Sequence, residues 1–245
     1  LLRAPAGALV PLRTAVDLGA PGVEPLLYLA RAHRGLGAYE AAVEAYIAAL
    51  ARASETETDL LVEAASLLAG GDLAGEHPAE FARAFSLLDL AVSRDPQHAR
   101  AHFTRGVLHE REGAEERAIE AYRRAVEVDN FHLDAITNLA VLLAGSALGK
   151  PNPKEAVKWY RQAAELGYVF SQRNLALHLF TGEGVEANDT EAFSWMLKAA
   201  GSGDAFAQNF VGNRFSDGRG VKADEAQAVG WFRKAGEQGQ LHAQY

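Results

Sequence analysis

Trp159, Trp195 and Trp231 stand 36 residues apart, and this 245-residue chain has no other tryptophan. Gly167, Gly203 and Gly239 keep the same interval, as do Gln172, Gln208 and Gln244. Leu139, Leu175 and Val211 repeat it with apolar side chains. A fixed period of this length marks an array of small units, each unable to bury a core alone and stable only when stacked on its neighbours.

Each unit reads as two helices. The first crosses stretches such as Ser171 to Phe180, where Leu175, Ala176 and Leu179 share one face at helical spacing. It breaks at Gly182-Glu183-Gly184, and one repeat later at Gly218-Arg219-Gly220. The second helix opens at Asn152, Asn188 or Asp224, with Glu155, Glu191 or Gln227 three residues on, the spacing of a capping box. Within it Ala156, Trp159 and Ala163 form a stripe, matched by Ala192, Trp195, Ala199 and by Ala228, Trp231, Ala235. The glycines at 167, 203 and 239 supply the left-handed residue that closes the helix.

The N-terminal half carries the same architecture in other letters. Leu26 to Ser54 contains Leu29-Ala30, Gly37, Tyr39, Ala42, Tyr46 and Ala49. His102 to Asn130 answers with Arg105-Gly106, Gly113, Ala118, Tyr122 and Ala125. Between them, Leu60 to Pro96 gives Phe81, Ala84, Leu88 and Ala91, with an insertion around Gly70 to His77 that lengthens the turn. Leu9 to Pro21 reads as the second helix of an earlier unit.

These patterns resemble two related families. Residues 22–130 resemble tetratricopeptide repeats, through the small–aromatic–small pattern and the closing Pro96. Residues 131–245 resemble Sel1-like repeats, carried by Gly182-Glu183-Gly184-Val185, Gly218-Arg219-Gly220-Val221, and the stretches Trp195 to Gly203 and Trp231 to Gly239. The unit at 131–167 departs from that pattern, with Ser146 and Leu148 in place of the loop glycines and Pro151 and Pro153 in the connector. The resemblance implies an all-α fold, one continuous right-handed α-solenoid. Residues 1–21 would be a partial repeat, 22–130 tetratricopeptide-like, and 131–245 three Sel1-like units plus the start of a fourth. Ala243-Gln244-Tyr245 aligns with Ala207-Gln208-Asn209 and leads us to expect further repeats, or a covering protein, beyond it.

Composition narrows the functions. With 49% hydrophobic and 23% charged residues the chain has the profile of a folded protein. A formal charge of −8 works against phosphate-backbone binding, and so against a pentatricopeptide-type RNA binder. The absence of cysteine excludes disulfides, thiolate metal sites and cysteine nucleophiles. No apolar run is long enough to span a bilayer. Leu1 to Ala15, with Arg3, Arg13 and no acid, has the flavour of a transit-peptide remnant. An intracellular compartment is favoured, either cytoplasm or an organelle such as the mitochondrion.

A search for chemistry returns packing residues. His98 and His102 lie at i and i+4 with His109 following, so one face would present three imidazoles. However, His102, His109 and His33 occupy aromatic packing slots of the tetratricopeptide pattern, and no metal is expected. His109-Glu110-Arg111-Glu112-Gly113 lacks the second histidine of a zinc-protease helix. The Gly-x-Gly turns follow no strand and continue into no phosphate-binding motif. Neither Ser-x-x-Lys nor Gly-x-Ser-x-Gly occurs. Sel1-like proteins described as binding or cleaving β-lactams resemble cysteine-rich secreted chains, and this chain has no cysteine. Glu110/Glu112 and Glu115/Glu116 read as acids at turns and helix starts. No catalytic residue, cofactor or small-molecule substrate is expected.

What the resemblance does imply is a concave wall of first helices that binds protein or peptide. Projected from unit to unit, its candidate residues are Leu27, Arg31, Arg34, Arg100, Phe103, Val107, Thr137, Val141, Arg173, Leu177, Asn209 and Asn213. Leu27, Tyr28 and Arg31 replace the Lys/Asn clamp by which related domains grip a C-terminal carboxylate, so that function is not expected. The expected role is a non-catalytic scaffold or adaptor within a multiprotein assembly. The alternative is a regulatory or targeting module of a larger enzyme. Charge reversal at Arg31 with Arg34, or at Arg173, is expected to weaken partner binding and leave the melting temperature unchanged.

Overall fold

Small residues at helical spacing let two helices approach closely, and the glycine-rich turns between them reverse the chain; the result is a series of helix hairpins. The structure, a computed structural model, describes residues 9–19, 22–52, 58–69, 78–145 and 151–239. Among these are thirteen helices: α1 (Leu9–Asp17), α2 (Glu24–Gly35), α3 (Tyr39–Arg52), α4 (Thr58–Ala69), α5 (Pro78–Arg94), α6 (Ala99–Arg111), α7 (Glu115–Val128), α8 (Leu133–Gly145), α9 (Pro153–Glu165), α10 (Val169–Thr181), α11 (Asp189–Gly201), α12 (Ala205–Asp217) and α13 (Glu225–Glu237). They pack in successive pairs, α2 with α3 through α12 with α13, and none is long and apolar enough to cross a membrane. The chain divides into two compact units, 1–129 and 130–245.

In the N-terminal unit α1 packs on α2, α3 on α4, and α6 against both α4 and α5. One core gathers Leu29, Ala30, Ala42, Ala45, Tyr46, Ala64 and Leu67, with Leu9, Leu12 and Val16 of α1 leaning on it. A second joins Leu61, Val62, Leu68, Phe81, Leu88, Ala101 and Leu108. Tyr122 is fully buried beneath Gly106, where a methyl group would meet its ring at 2.5 Å. The insertion expected around Gly70 to His77 lies outside the described residues, as do Ser146, Leu148 and the opening of a further repeat at 243–245.

In the C-terminal unit the 36-residue lattice becomes a lattice of contacts. Asn152, Asn188 and Asp224 cap α9, α11 and α13, accepting from the backbone N–H of Glu155, Glu191 and Gln227 at 3.2, 3.0 and 3.0 Å. Their own N–H groups donate back to Leu143, Leu179 and Phe215 O at 2.7, 2.8 and 2.8 Å, tying each second helix to the last turn of the first. Gly167, Gly203 and Gly239 all have positive φ, as the helix-closing role requires. The alanines of the stripe, Ala156, Ala163, Ala192, Ala199, Ala228 and Ala235, have no exposed surface. The tryptophans between them stay half-buried, because a small residue suits the tight helix–helix seam and an indole fits only at its rim.

The lattice glutamines also have an assignment. Gln172 and Gln208 are buried in the first turns of α10 and α12. Each side-chain amide donates to a carbonyl near the end of the preceding helix, Ala164 O at 3.3 Å and Ala200 O at 3.2 Å. Carbonyls left over at a helix C-terminus need an outside donor, and the glutamine of the next unit provides it.

Candidate functional site

Six first or second helices of the C-terminal unit stack in register, so residues 36 apart in sequence lie on the same strip of successive repeats. On the first helices α8, α10 and α12 one strip is Val141, Leu177 and Asn213. Val141 is 39% exposed and Asn213 is exposed, whereas Leu177 packs against the core around Met196. A second strip holds Thr137, Arg173 and Asn209. Thr137 requires a correction: it is buried, with its hydroxyl 3.4 Å from Ser171 Oγ, and so serves the α8–α10 contact rather than an open wall. Asn209 Oδ1 is shielded from solvent with no hydrogen-bond partner among the described residues.

Arg173 is drawn into the packing as well. Its Nη1 donates to Asp204 Oδ2 at 2.8 Å, and its guanidinium carbon lies 5.1 Å from the Phe170 ring centroid and 5.6 Å from that of Phe206. Asp204 in turn caps α12 through Ala207 N–H at 2.8 Å. One arginine therefore clips two repeats together while two phenylalanines, 36 and 45% exposed, remain open to solvent beside it. Sequence reasoning passed over Phe170 and Phe206. Their 36-residue spacing was the available signal, hidden because the strip's earlier member is Asp134.

In the N-terminal unit Arg31 repeats this arrangement. Its Nη2 lies 3.2 Å from both carboxylate oxygens of Glu63 on α4, and the fully buried Tyr46 donates to the same carboxylate at 3.1 Å. Leu27 is half-buried against the core that contains Leu29. Phe103 is half-buried with its ring 5.7 Å from that of Tyr122, and Val107 is half-buried. Arg100 is exposed, and the side chain of Arg34 lies outside the described residues. Because Arg31 and Arg173 bridge neighbouring first helices, charge reversal at either is no longer expected to spare the melting temperature.

His98, His102 and His109 are engaged structurally. His98 caps α6, its Nδ1 accepting from Ala101 N–H at 3.2 Å, so the proton sits on Nε2 and is donated to Asp59 Oδ1 at 3.0 Å. His102 Nε2 lies 3.0 Å from Pro96 O, and His109 packs on Phe85 with ring centroids 4.8 Å apart. Among the described residues no three His, Asp or Glu side chains converge as metal ligands.

A further link between repeats runs along the second helices. Arg161 Nη1 on α9 donates to Glu191 Oε1 on α11 at 2.6 Å, and Trp195 Nε1 donates to the same oxygen at 3.3 Å. The hydrogen bond from Arg161 pulls the Glu191 carboxyl below its ordinary range, partial burial opposes the shift, and the indole N–H adds to it. A depressed folded-state value means the stabilisation is present above the ordinary glutamate range and is lost as pH falls through the folded-state value. Carbon-detected NMR titration is expected to show Glu191 protonating at lower pH in the native chain than in Arg161→Met.

Hairpins in register, glutamine bridges between them and an exposed first-helix face define an α-helical repeat protein of the kind whose repeats bind other proteins. The family model for the Sel1 repeat matches residues 77–107, 133–168, 169–204 and 205–240, more than half of the chain, and that for the tetratricopeptide repeat matches 99–132. The chain belongs to the Sel1 repeat family. That family is generally non-catalytic. The layout differs in part from the sequence expectation, since a Sel1 match at 77–107 falls where a tetratricopeptide-like unit was expected.

Among solved structures, a protective antigen of uropathogenic Escherichia coli with the Sel1-like repeat fold superposes with a TM-score of 0.74 at 23% identity, covering 97% of this chain and 50% of that one. A Sel1 repeat protein from Oxalobacter formigenes gives 0.63 at 23% identity, covering 89% and 86%. An F-box protein of Arabidopsis thaliana is 40% identical over 81 residues, which is 33% of this chain and 22% of that protein. The chain thus spans half of the antigen and about a fifth of the F-box protein.

Proposed function

We propose that this chain is a non-catalytic scaffold or adaptor that holds partner proteins along the first-helix face of its repeats, as a subunit of a larger assembly. The observation that carries this reading is the pair Phe170 and Phe206. Two large rings on consecutive first helices remain 36 and 45% exposed, with Val141 on the helix before them. Aromatic side chains beside an arginine and asparagines have the make-up of an interface centre. Packing explains Arg173, but it leaves the outer faces of the two rings unused.

A second reading, a module within a longer protein, is supported by the Arabidopsis relative, whose matching segment is a small part of an F-box protein. Under either reading the same face binds. Quantitative affinity capture from native lysate with the Phe170→Ser/Phe206→Ser chain is expected to lose its stoichiometric partners by about tenfold relative to wild type. Retention of the full partner set by a variant that keeps its native circular dichroism would overturn the assignment to this face.

A further inference from the structure

The second-helix side of the C-terminal unit carries a different surface. A pocket of about 470 Å³ opens on α9, lined by Asn152, Lys154, Glu155, Lys158, Trp159 and Gln162. Its volume falls in the range of ligand-binding clefts.

The three lattice tryptophans are not equivalent. Lys198 Nζ sits 3.7 Å from the Trp195 ring centroid and Lys234 Nζ 4.1 Å from that of Trp231, each three residues further along its helix. The corresponding residue after Trp159 is Gln162, and its amide turns away to donate to Asn130 O at 2.7 Å. Trp159 therefore lines the pocket with no cation on its ring among the described residues. Its Nε1 is satisfied by Glu155 Oε1 at 3.3 Å, and Glu155 also accepts from Asn152 Nδ2 at 3.0 Å, so this acid is held by its own helix turn.

The positive charge beside the ring is unspent. Lys154 and Lys158 lie one helical turn apart, both exposed, and neither forms an ion pair among the described residues. With Lys150 before them in sequence they make up half of the chain's lysines, in a protein of net charge −8. The positive end of the α9 dipole lies at the same place.

We propose that this face docks a short Asp/Glu-rich segment of a partner protein, with an aromatic residue of that segment stacked on Trp159 and its carboxylates on Lys154 and Lys158. A long nucleic acid fits less well, because its affinity grows with the number of phosphates neutralised and the rest of this acidic chain repels it. A few carboxylates around one ring match two lysines and one indole. The site lies on a second helix, apart from the Phe170–Phe206 face, so each surface can fail its test without the other.

The test uses the full chain and two dye-labelled synthetic peptides, one of Asp and Glu around a single Phe, the other with every acid replaced by its amide. Fluorescence anisotropy is expected to show binding of the acidic peptide, weakened by added salt, and none of comparable strength for the amide form. Lys154→Glu/Lys158→Glu is expected to weaken binding by about tenfold or more. Both side chains are exposed, so this variant keeps its fold, with circular dichroism as the check. Trp159→Leu, if folded, is expected to reduce affinity for the Phe peptide and to leave a Phe-to-Ala version unchanged. Equal affinity for the amide peptide, wild-type affinity in the lysine variant, or no binding by the wild-type chain overturns the proposal. So does a ribo-oligonucleotide that displaces the peptide at equal concentration, which would make the patch a general polyanion surface.

Discussion

Gly184→Ala is expected to destabilise the C-terminal unit by about 3 kcal/mol or more, from two effects that add. Gly184 has φ +76°, where a β-carbon is strained against its own backbone. The new methyl group would also fall on the backbone of Pro153 and Lys154, 2.6 Å from Lys154 N. A side chain in the way could rotate aside, but the first turn of α9 cannot yield without shifting the whole helix. Gly220 stands against the backbone of Asp189 in the same way one repeat later. The control is Gly203→Ala, with φ +95° and nothing within 4 Å of the added methyl. It carries the backbone strain alone and is expected to lose about 1 kcal/mol. Urea unfolding of both variants checks the difference; equal midpoints would show that the loop moves freely off the preceding repeat.

Arg173→Glu is expected to lose about 2 kcal/mol, in contrast to a surface charge reversal. The substitution removes the 2.8 Å ion pair to Asp204, whose side chain is only 13% exposed, and places a second carboxylate beside it. It also withdraws the guanidinium and its stem from the Phe170 and Phe206 rings. Adding Asp204→Asn, which can still cap Ala207, is expected to recover part of the loss. A double-mutant cycle measured by chemical denaturation gives the coupling directly. Independent, additive losses would show that the two residues do not act together. The pairing also means that partner binding on this face is best tested at the phenylalanines rather than at the arginine.

Much of the fold is legible in the residues because the repeat presents the same instruction several times. Asn188 with Glu191, or Asp224 with Gln227, each specifies a helix start by local hydrogen bonding, and the glycines at 167, 203 and 239 specify an end by their allowed φ. Such signals act within a few residues and survive without knowledge of the partner helix. The roles of Gln172 and Gln208 were not legible, although their spacing was, because the carbonyls they satisfy are eight residues away on another helix. The candidate face was legible only as a list. Projecting one unit on the next placed Thr137, Arg173 and Asn209 on one strip, but could not show that Ser171 and Asp204 meet the first two.

Period, caps and turn glycines are local and redundant, and they specify an all-helical stack of hairpins before any contact is known. Which polar side chains of that stack remain available is a different kind of quantity. Arg31 and Glu63 are 32 residues apart, Arg173 and Asp204 31, and both pairs form only once successive first helices lie side by side. Packing likewise buried Thr137 and left Phe170 and Phe206 in solvent. An interface is what remains after neighbouring repeats have satisfied one another, and that remainder depends on distances between helices that no local spacing encodes.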